Sequence, residues 1–241
     1  MSGILTERKK ESYKIFDEIA GTYDVLNHTL SLGIDILWRK KMLKMLPKRQ
    51  GLKVLDLATG TGDVAFTLAT DNRVASIKGT DLSKGMIKVG QQKVIKRGLE
   101  TKINFEIGDG VTIPEKDESF DVITLSFGIR NFPDAQESLR NINRVLTKNG
   151  RALIMEFSIP KNPFFKALYF FYFRYILPFV GNIVSKHGDA YTYLNKSVED
   201  FAYGKEFINM MEVAGLKNIK TVSLTFGIAT LYIGDKGEKQ N

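Results

Sequence analysis

The chain is predicted to be an α/β protein, with a mostly parallel seven-stranded sheet and helices on both faces. Three observations lead there. Apolar runs of strand length alternate with amphipathic helical stretches through residues 53–158, and short links between such elements imply parallel strands joined by crossover helices. The run Val54-Leu-Asp-Leu-Ala-Thr-Gly-Thr-Gly-Asp63 reads as a buried strand that ends in a tight glycine turn and enters a helix. The 241 residues, 43% hydrophobic and 26% charged, suffice for one substantial core.

In chain order, residues 5–20 carry Leu5, Tyr13, Phe16, Ile19 and Ala20 at helical spacing. Residues 23–28 read as a turn into a second helix, about 34–46, with Ile36, Leu37, Met42, Leu43 and Leu46 as apolar positions. Pro47 and Gly51 punctuate before the first strand. Strands are expected at 53–58, 74–80, 103–107, 120–126 and 151–158, and helices at 63–70, 83–97 and 134–147. Right-handed crossovers then place a ligand crevice at the carboxyl ends of the strands. Residues 163–186 break the rhythm: they are intensely aromatic, interrupted by Lys166 and Arg174 and broken by Pro178. The uncharged run Tyr175 to Ser185 is too short for the roughly 20 residues that span a bilayer. The segment reads as an apolar insertion over a binding site, extending to about residue 200, or as a core helix. A helix at 204–214 and two strands, 219–226 and 228–233, in an antiparallel hairpin around Gly227 close the chain. One domain spanning 1–241 is the economical organisation, with 1–50 a helical extension packed across the ligand edge.

The absence of cysteine excludes disulfides, thiolate zinc sites and cysteine nucleophiles. No metal site is expected. Met-Ser-Gly-Ile-Leu-Thr-Glu-Arg-Lys-Lys has no apolar signal core, so a cytoplasmic protein is expected. Net charge is +8. Arg39, Lys40, Lys41, Lys44, Lys48, Arg49 and Lys53 cluster, with no acid between Ile36 and Leu55. That cluster reads either as a solvated helix face or as a surface attracted to anionic lipid or nucleic acid.

Gly60-Thr-Gly-Asp-Val-Ala65 matches G-x-G-x-x-A, a pattern compatible with a nicotinamide cofactor. Asp81, about 20 residues on, can accept the hydroxyls of an adenosine ribose, which NAD and S-adenosylmethionine share. Asp56 inside the first strand can anchor the loop or face a cationic methionine end. Asp109, after the third strand, can meet an adenine amino group, and Ser126 ends the fourth. Asp56, Gly60, Gly62, Asp81, Asp109 and Ser126 thus fall on four successive strand ends, which favours the methyl donor.

These residues bring a family into view. Val54–Asp63, Phe16-Asp-Glu-Ile-Ala-Gly-Thr-Tyr-Asp-Val-Leu-Asn27, Ile123-Thr-Leu-Ser-Phe-Gly-Ile-Arg-Asn131 and Arg144–Ser158 resemble the menaquinone/ubiquinone biosynthesis C-methyltransferase family. The aromatic run Leu168–Pro178 looks most like its menaquinone-type branch. Thr59 stands where family members often have glycine. The resemblance implies a Rossmann-like class I methyltransferase fold and S-adenosyl-L-methionine as cofactor, with Thr61, Asp81, Asp109, Gly110 and Ser126 at the family's cofactor positions. It implies C-methylation of a polyprenylated quinol, demethylmenaquinol or alternatively a benzoquinol. A quinol carbon attacks well only when a neighbouring phenol is ionised, so the site must stabilise a phenolate and exclude water.

Arg130 and Asn131 are the catalytic candidates: Arg130 to hold a phenolate or an ordered water, since it stays protonated, and Asn131 to orient the ring. A structural link to the sheet edge is the alternative for Arg130. Tyr23, Asp24, His187, Asp189 and Tyr191 are candidates for relaying the proton. Peripheral contact with the inner face of a membrane follows if the aromatic segment sheathes the prenyl tail and the 39–53 cluster docks on anionic lipid; a homodimer is compatible. An RNA methyltransferase is disfavoured, because Ser126-Phe-Gly-Ile129 stands where an Asn/Asp-Pro-Pro-aromatic run is usual, so no nucleic-acid partner is expected. A nicotinamide oxidoreductase lacks a Tyr-x-x-x-Lys, and a non-catalytic cofactor-binding scaffold is the remaining rival.

Overall fold

The computed structural model describes residues 13–14, 16–176 and 197–236. Residues 16–19 are helical and lead into α1 (Tyr23–Leu30) and α2 (Ile34–Leu43). The α/β unit then runs β1 (Leu52–Leu57), α3 (Asp63–Ala69), β2 (Val74–Asp81), α4 (Lys84–Lys96), β3 (Ile103–Ile107), β4 (Phe120–Ser126), α5 (Ala135–Val145) and β5 (Leu146–Phe157). It is completed by α6 (Pro163–Phe171), which widens into a π-turn over Tyr172–Ile176, then α7 (Lys205–Val213), β6 (Lys217–Leu224) and β7 (Ala229–Asp235).

The seven strands form one sheet in the order β3-β2-β1-β4-β5-β7-β6. β1 pairs in parallel with β2 and β4, while β7 runs antiparallel to both β5 and β6. The crossovers go outward from β1 in one direction and restart at β4 on its other side. The topological switch point therefore lies between β1 and β4, where a doubly wound sheet opens its crevice. Their register, Val54↔Val122 through Leu57↔Leu125, brings the loops after residues 57 and 126 out side by side.

Side chains of β1 alternate between two cores, as a strand buried on both faces requires. Leu52 and Val54 join Trp38, Met42, Leu68 and Phe105 on one face. Leu55 and Leu57 join Ile123, Leu139, Phe207 and Tyr232 on the other. Helix starts carry ordinary caps: Ser83 accepts from the Met86 amide, Asp134 from Glu137, and Asn162 from Phe164, with Pro163 in the first turn of α6.

Two local expectations are corrected. Residues 23–30 form a helix, not a turn: Asp24, Asn27, His28 and Thr29 are weak helix formers, but Tyr23, Asn27 and Leu30, spaced i, i+4, i+7, all face one cavity. The fifth strand starts at Leu146 rather than 151, since Leu146 already pairs with Phe120. The hairpin of β6 and β7 turns through Thr225–Gly227 as expected. Residues 5–12, and the part of the aromatic segment beyond 176, lie outside the described residues. Among the described residues no helix is long and apolar enough to cross a membrane.

Candidate active site

The loop after β1 has a tightly constrained backbone. Ala58, Gly60 and Gly62 all take positive φ, at 48°, 56° and 93°. Gly62 is required twice over: a side chain there would be strained by its φ, and a Cβ would fall 2.5 Å from Phe105 Cζ. The Phe105 ring is wedged between the loop, β2 and α4, so that Cβ atoms on Gly79 and Gly90 would likewise meet it, at 2.4 and 2.8 Å.

Asp56 lies beneath the loop, 1% exposed. It accepts bonds from Thr59 Oγ1 at 2.6 Å and Thr124 Oγ1 at 2.5 Å. Burial pushes its pKa up to about 6, against the pull of those two hydroxyls. Asp81, at the tip of β2, accepts from the Gly60 amide at 2.9 Å and the Ser83 amide at 2.9 Å. Desolvation raises its pKa while these backbone donors oppose the rise.

The N-terminal helices fasten onto this cradle. Asp17 accepts from Ser83 Oγ at 2.7 Å and from the Gly85 amide at 2.6 Å, bonds that lower its pKa. Thr61 Oγ1 donates to Asp24 at 2.5 Å. Lys93 Nζ on α4 reaches Asp24 at 2.9 Å, Asp63 at 3.1 Å and Thr61 at 3.2 Å. Beside them His28, Asp35 and Asp63 converge in an arrangement that could hold a metal ion. A protein cation already serves that cluster: Arg39 Nη1 lies 2.7 Å from Asp35 and 3.5 Å from Asp63. Ser31 and Arg39 hold the Asp35 carboxyl low in spite of burial. Arg39 therefore belongs to the interior side of α2, not to the exposed basic cluster, and Arg49 pairs with Asp121 at 2.5 Å. The remaining members, Lys40, Lys41, Lys44, Lys48 and Lys53, are exposed.

A cavity of about 590 Å³ extends from this loop to α6. Asp56, Gly60, Thr61, Tyr23, Ser126 and Arg130 line it at the sheet edge, and Phe127, Phe157, Phe165, Phe173 and Phe226 form much of its wall. Asp81 does not itself line the cavity but accepts from the amide of Gly60, which does. Asn131 is buried and does not line it. Asp109 is placed apart: its carboxylate accepts from the Val111 amide at 2.9 Å, and it lines a separate cavity of about 40 Å³ with Thr80 and Gly108. Gly108 nevertheless ties it to the same edge, donating to the Asp81 carbonyl at 3.1 Å. Gly110 has its own steric reason, since a Cβ there would fall 2.2 Å from the Phe132 ring. His187, Asp189 and Tyr191 lie outside the described residues.

Arg130, 4% exposed, donates through Nη1 to Glu156 Oε1 at 2.7 Å and to the Phe127 carbonyl at 2.5 Å, and through Nε to Ser197 at 3.3 Å. Its guanidinium also lies 5.3 Å from the Phe157 ring centre. Glu156 escaped the sequence reading, as did Tyr169, whose buried hydroxyl faces this corner. A lone acid in the apolar run Leu153-Ile-Met-Glu156 was the available signal, because an unpaired carboxylate is not tolerated in a central strand.

A doubly wound sheet in this strand order, with a glycine loop after β1 and a carboxylate at the tip of β2 bound to that loop, defines a nucleoside-cofactor enzyme of the methyltransferase class. The fold is similar to that of a SAM-dependent methyltransferase from Thermotoga maritima, with a TM-score of 0.65 at 18% identity over 93% of this chain and 99% of that one. The ubiE/COQ5 methyltransferase family matches residues 5–236. The ubiquinone/menaquinone biosynthesis C-methyltransferase UbiE of Geotalea uraniireducens is 43% identical over 96% of this chain and 99% of its own length. A demethylmenaquinone methyltransferase of Bacteroides fragilis is 38% identical over 95% and 94%. The chain belongs to the ubiE/COQ5 methyltransferase family. It is a methyltransferase that uses S-adenosylmethionine.

Proposed function

We propose that this enzyme methylates a ring carbon of a polyprenylated quinol, demethylmenaquinol foremost, and that Gly60, Thr61, Asp81 and Ser126 hold S-adenosylmethionine. The residues present fit that group. Ser126 Oγ is buried on the cavity wall without a partner among the described residues. The Asp81 carboxylate keeps accepting capacity beyond the amides it already binds. Asp109 and Thr80, whose Oγ1 is buried without a partner among the described residues, line the second, small cavity. When bound, S-adenosylmethionine supplies an electrophilic methyl group on a sulfonium.

The protein's part is to orient the ring, exclude water and favour negative charge on a ring oxygen. The observation that carries the acceptor class is the cavity itself: it begins at the glycine loop and continues between aromatic side chains of α6 and the Thr225–Gly227 turn. An apolar ring with an apolar tail suits that lining, and the names of the curated relatives point to quinones. Arg130 brings a permanent positive charge to the wall, where a developing phenolate is stabilised. Glu156 holds that guanidinium in place.

The mouth of the cavity suggests how a lipid-embedded substrate is reached. Leu32, Phe171 and Phe226 line the cavity and are also 84%, 53% and 66% exposed. Leu37, Phe164 and Tyr175 add further exposed apolar surface, and Lys40, Lys41 and Lys44 are exposed on or just past α2. Apolar side chains at an opening with lysines beside them suit peripheral contact with an anionic bilayer. Incubating the protein with S-adenosylmethionine and a short-chain demethylmenaquinol, with mass spectrometry of the quinone, tests the function. A product heavier by one methylene on the ring is expected; no product from this acceptor or from a benzoquinol analogue would overturn the proposal.

A further inference from the structure

Tyr169 is out of keeping with its surroundings. Its ring packs against Phe173 at 4.3 Å and Phe170 at 5.6 Å between centres. The residue is 4% exposed and lines the large cavity. Its hydroxyl has no hydrogen-bond partner among the described residues. Leaving a buried hydroxyl unpaired is costly, and phenylalanine would fill this place in an aromatic wall without that cost. A second unpaired polar atom belongs to the same corner: Glu156 Oε2 is buried with no partner among the described residues, while Oε1 holds Arg130. Both charges act on the Tyr169 hydroxyl, Arg130 more strongly than Glu156. Desolvation pushes this phenol above its ordinary pKa, so it stays protonated and can donate.

We propose that the Tyr169 hydroxyl is the anchor that hydrogen-bonds one ring oxygen of the quinol and so sets which ring carbon faces the methyl donor. It is a substrate-touching residue on the wall of the cavity that the glycine loop also lines, carried by α6 rather than by the sheet edge. The proposal rests on the quinol reading above. Anchoring one oxygen of a flat apolar ring fixes its rotation in a cavity whose walls otherwise offer only shape. This gives the aromatic helix a chemical task in addition to covering the tail.

The test is Tyr169→Phe, with Tyr169→Met as a second variant lacking the hydroxyl. Both are assayed with a short-chain demethylmenaquinol, by calorimetry with S-adenosylmethionine and by thermal melting. For Tyr169→Phe the melting temperature is expected to stay level or rise, since the hydroxyl has no partner to lose. Affinity for S-adenosylmethionine should be unchanged and kcat/KM for the quinol should fall about 10- to 100-fold in both variants. Wild-type kcat/KM in Tyr169→Phe overturns the proposal. So does a lowered melting temperature together with weakened S-adenosylmethionine binding, which would make the hydroxyl structural. If the wild-type protein itself fails to turn over the quinol, it is the quinol reading that falls.

Discussion

Asp56 is the residue whose charge state the fold perturbs most legibly. Its pKa is raised by burial from 3.8 to about 6. The folded state thus keeps this proton to higher pH than the unfolded chain does. The group's contribution to stability is full below about pH 4 and is lost as pH rises towards 6. That gap corresponds to ~3 kcal/mol at ~1.4 kcal/mol per pH unit. Asp56→Asn keeps an acceptor for one threonine hydroxyl and removes the ionisation. Urea denaturation between pH 4 and 7 should show a flatter profile for the variant than for wild type, with the largest difference above pH 6. The Arg130–Glu156 pair matters through its charges. Both side chains are at most 4% exposed, so Glu156→Gln strands a buried cation and should cost about 3 kcal/mol in the same assay. Asp56 could be singled out in the sequence because it sits four residues before a glycine turn. Glu156 could not be matched to Arg130, since the partners are 26 residues apart and meet only when β4 and β5 pair. Arg39 was misassigned to the exposed cluster although Asp35, one turn earlier, offered an i, i+4 partner.

Among the elements, the best-read were those whose pattern arises from burial on both faces: β1, β2, β3 and β4 end within one residue of where their apolar runs predict. The helix Tyr23–Leu30 was hidden because tertiary bonds, from Asp24 to Thr61 and Lys93 and from His28 to Asp35, hold it rather than propensity. The glycines were read as a ligand signature, and their second reason was invisible: Gly79 and Gly90, with Gly62, make a bed for Phe105. Gly79→Ala should destabilise by about 1–3 kcal/mol through overpacking. Phe105→Leu combined with Gly79→Ala should recover part of that loss, and a thermodynamic cycle of melting experiments would detect a coupling of about 1 kcal/mol between the two. At the start of α4, Asp17 takes both the Ser83 hydroxyl and the Gly85 amide. Its carboxylate is exposed, so Asp17→Ala should cost no more than about 1 kcal/mol, with faster hydrogen exchange at the Gly85 amide as the local sign.

Over the whole molecule, a parallel sheet with a crevice at its strand ends followed from strand–helix alternation, whereas the strand order and the full lining of the cavity did not. Its walls come from α1, α2, α6 and the Thr225–Gly227 turn, segments distant in the chain that only the folded topology brings together. Flotation with vesicles containing anionic lipid should carry the protein upward, and Lys40→Glu with Lys41→Glu and Lys44→Glu should weaken that binding while leaving S-adenosylmethionine affinity intact. Binding that is indifferent to both lipid charge and these substitutions would remove the membrane contact. The ring of Phe105 has one more consequence, at the scale of descent. Positions 79, 90 and 105 compete for the same volume, so they are expected to drift together: a relative that shrinks the ring frees both neighbours to acquire side chains, and one that keeps it holds them bare.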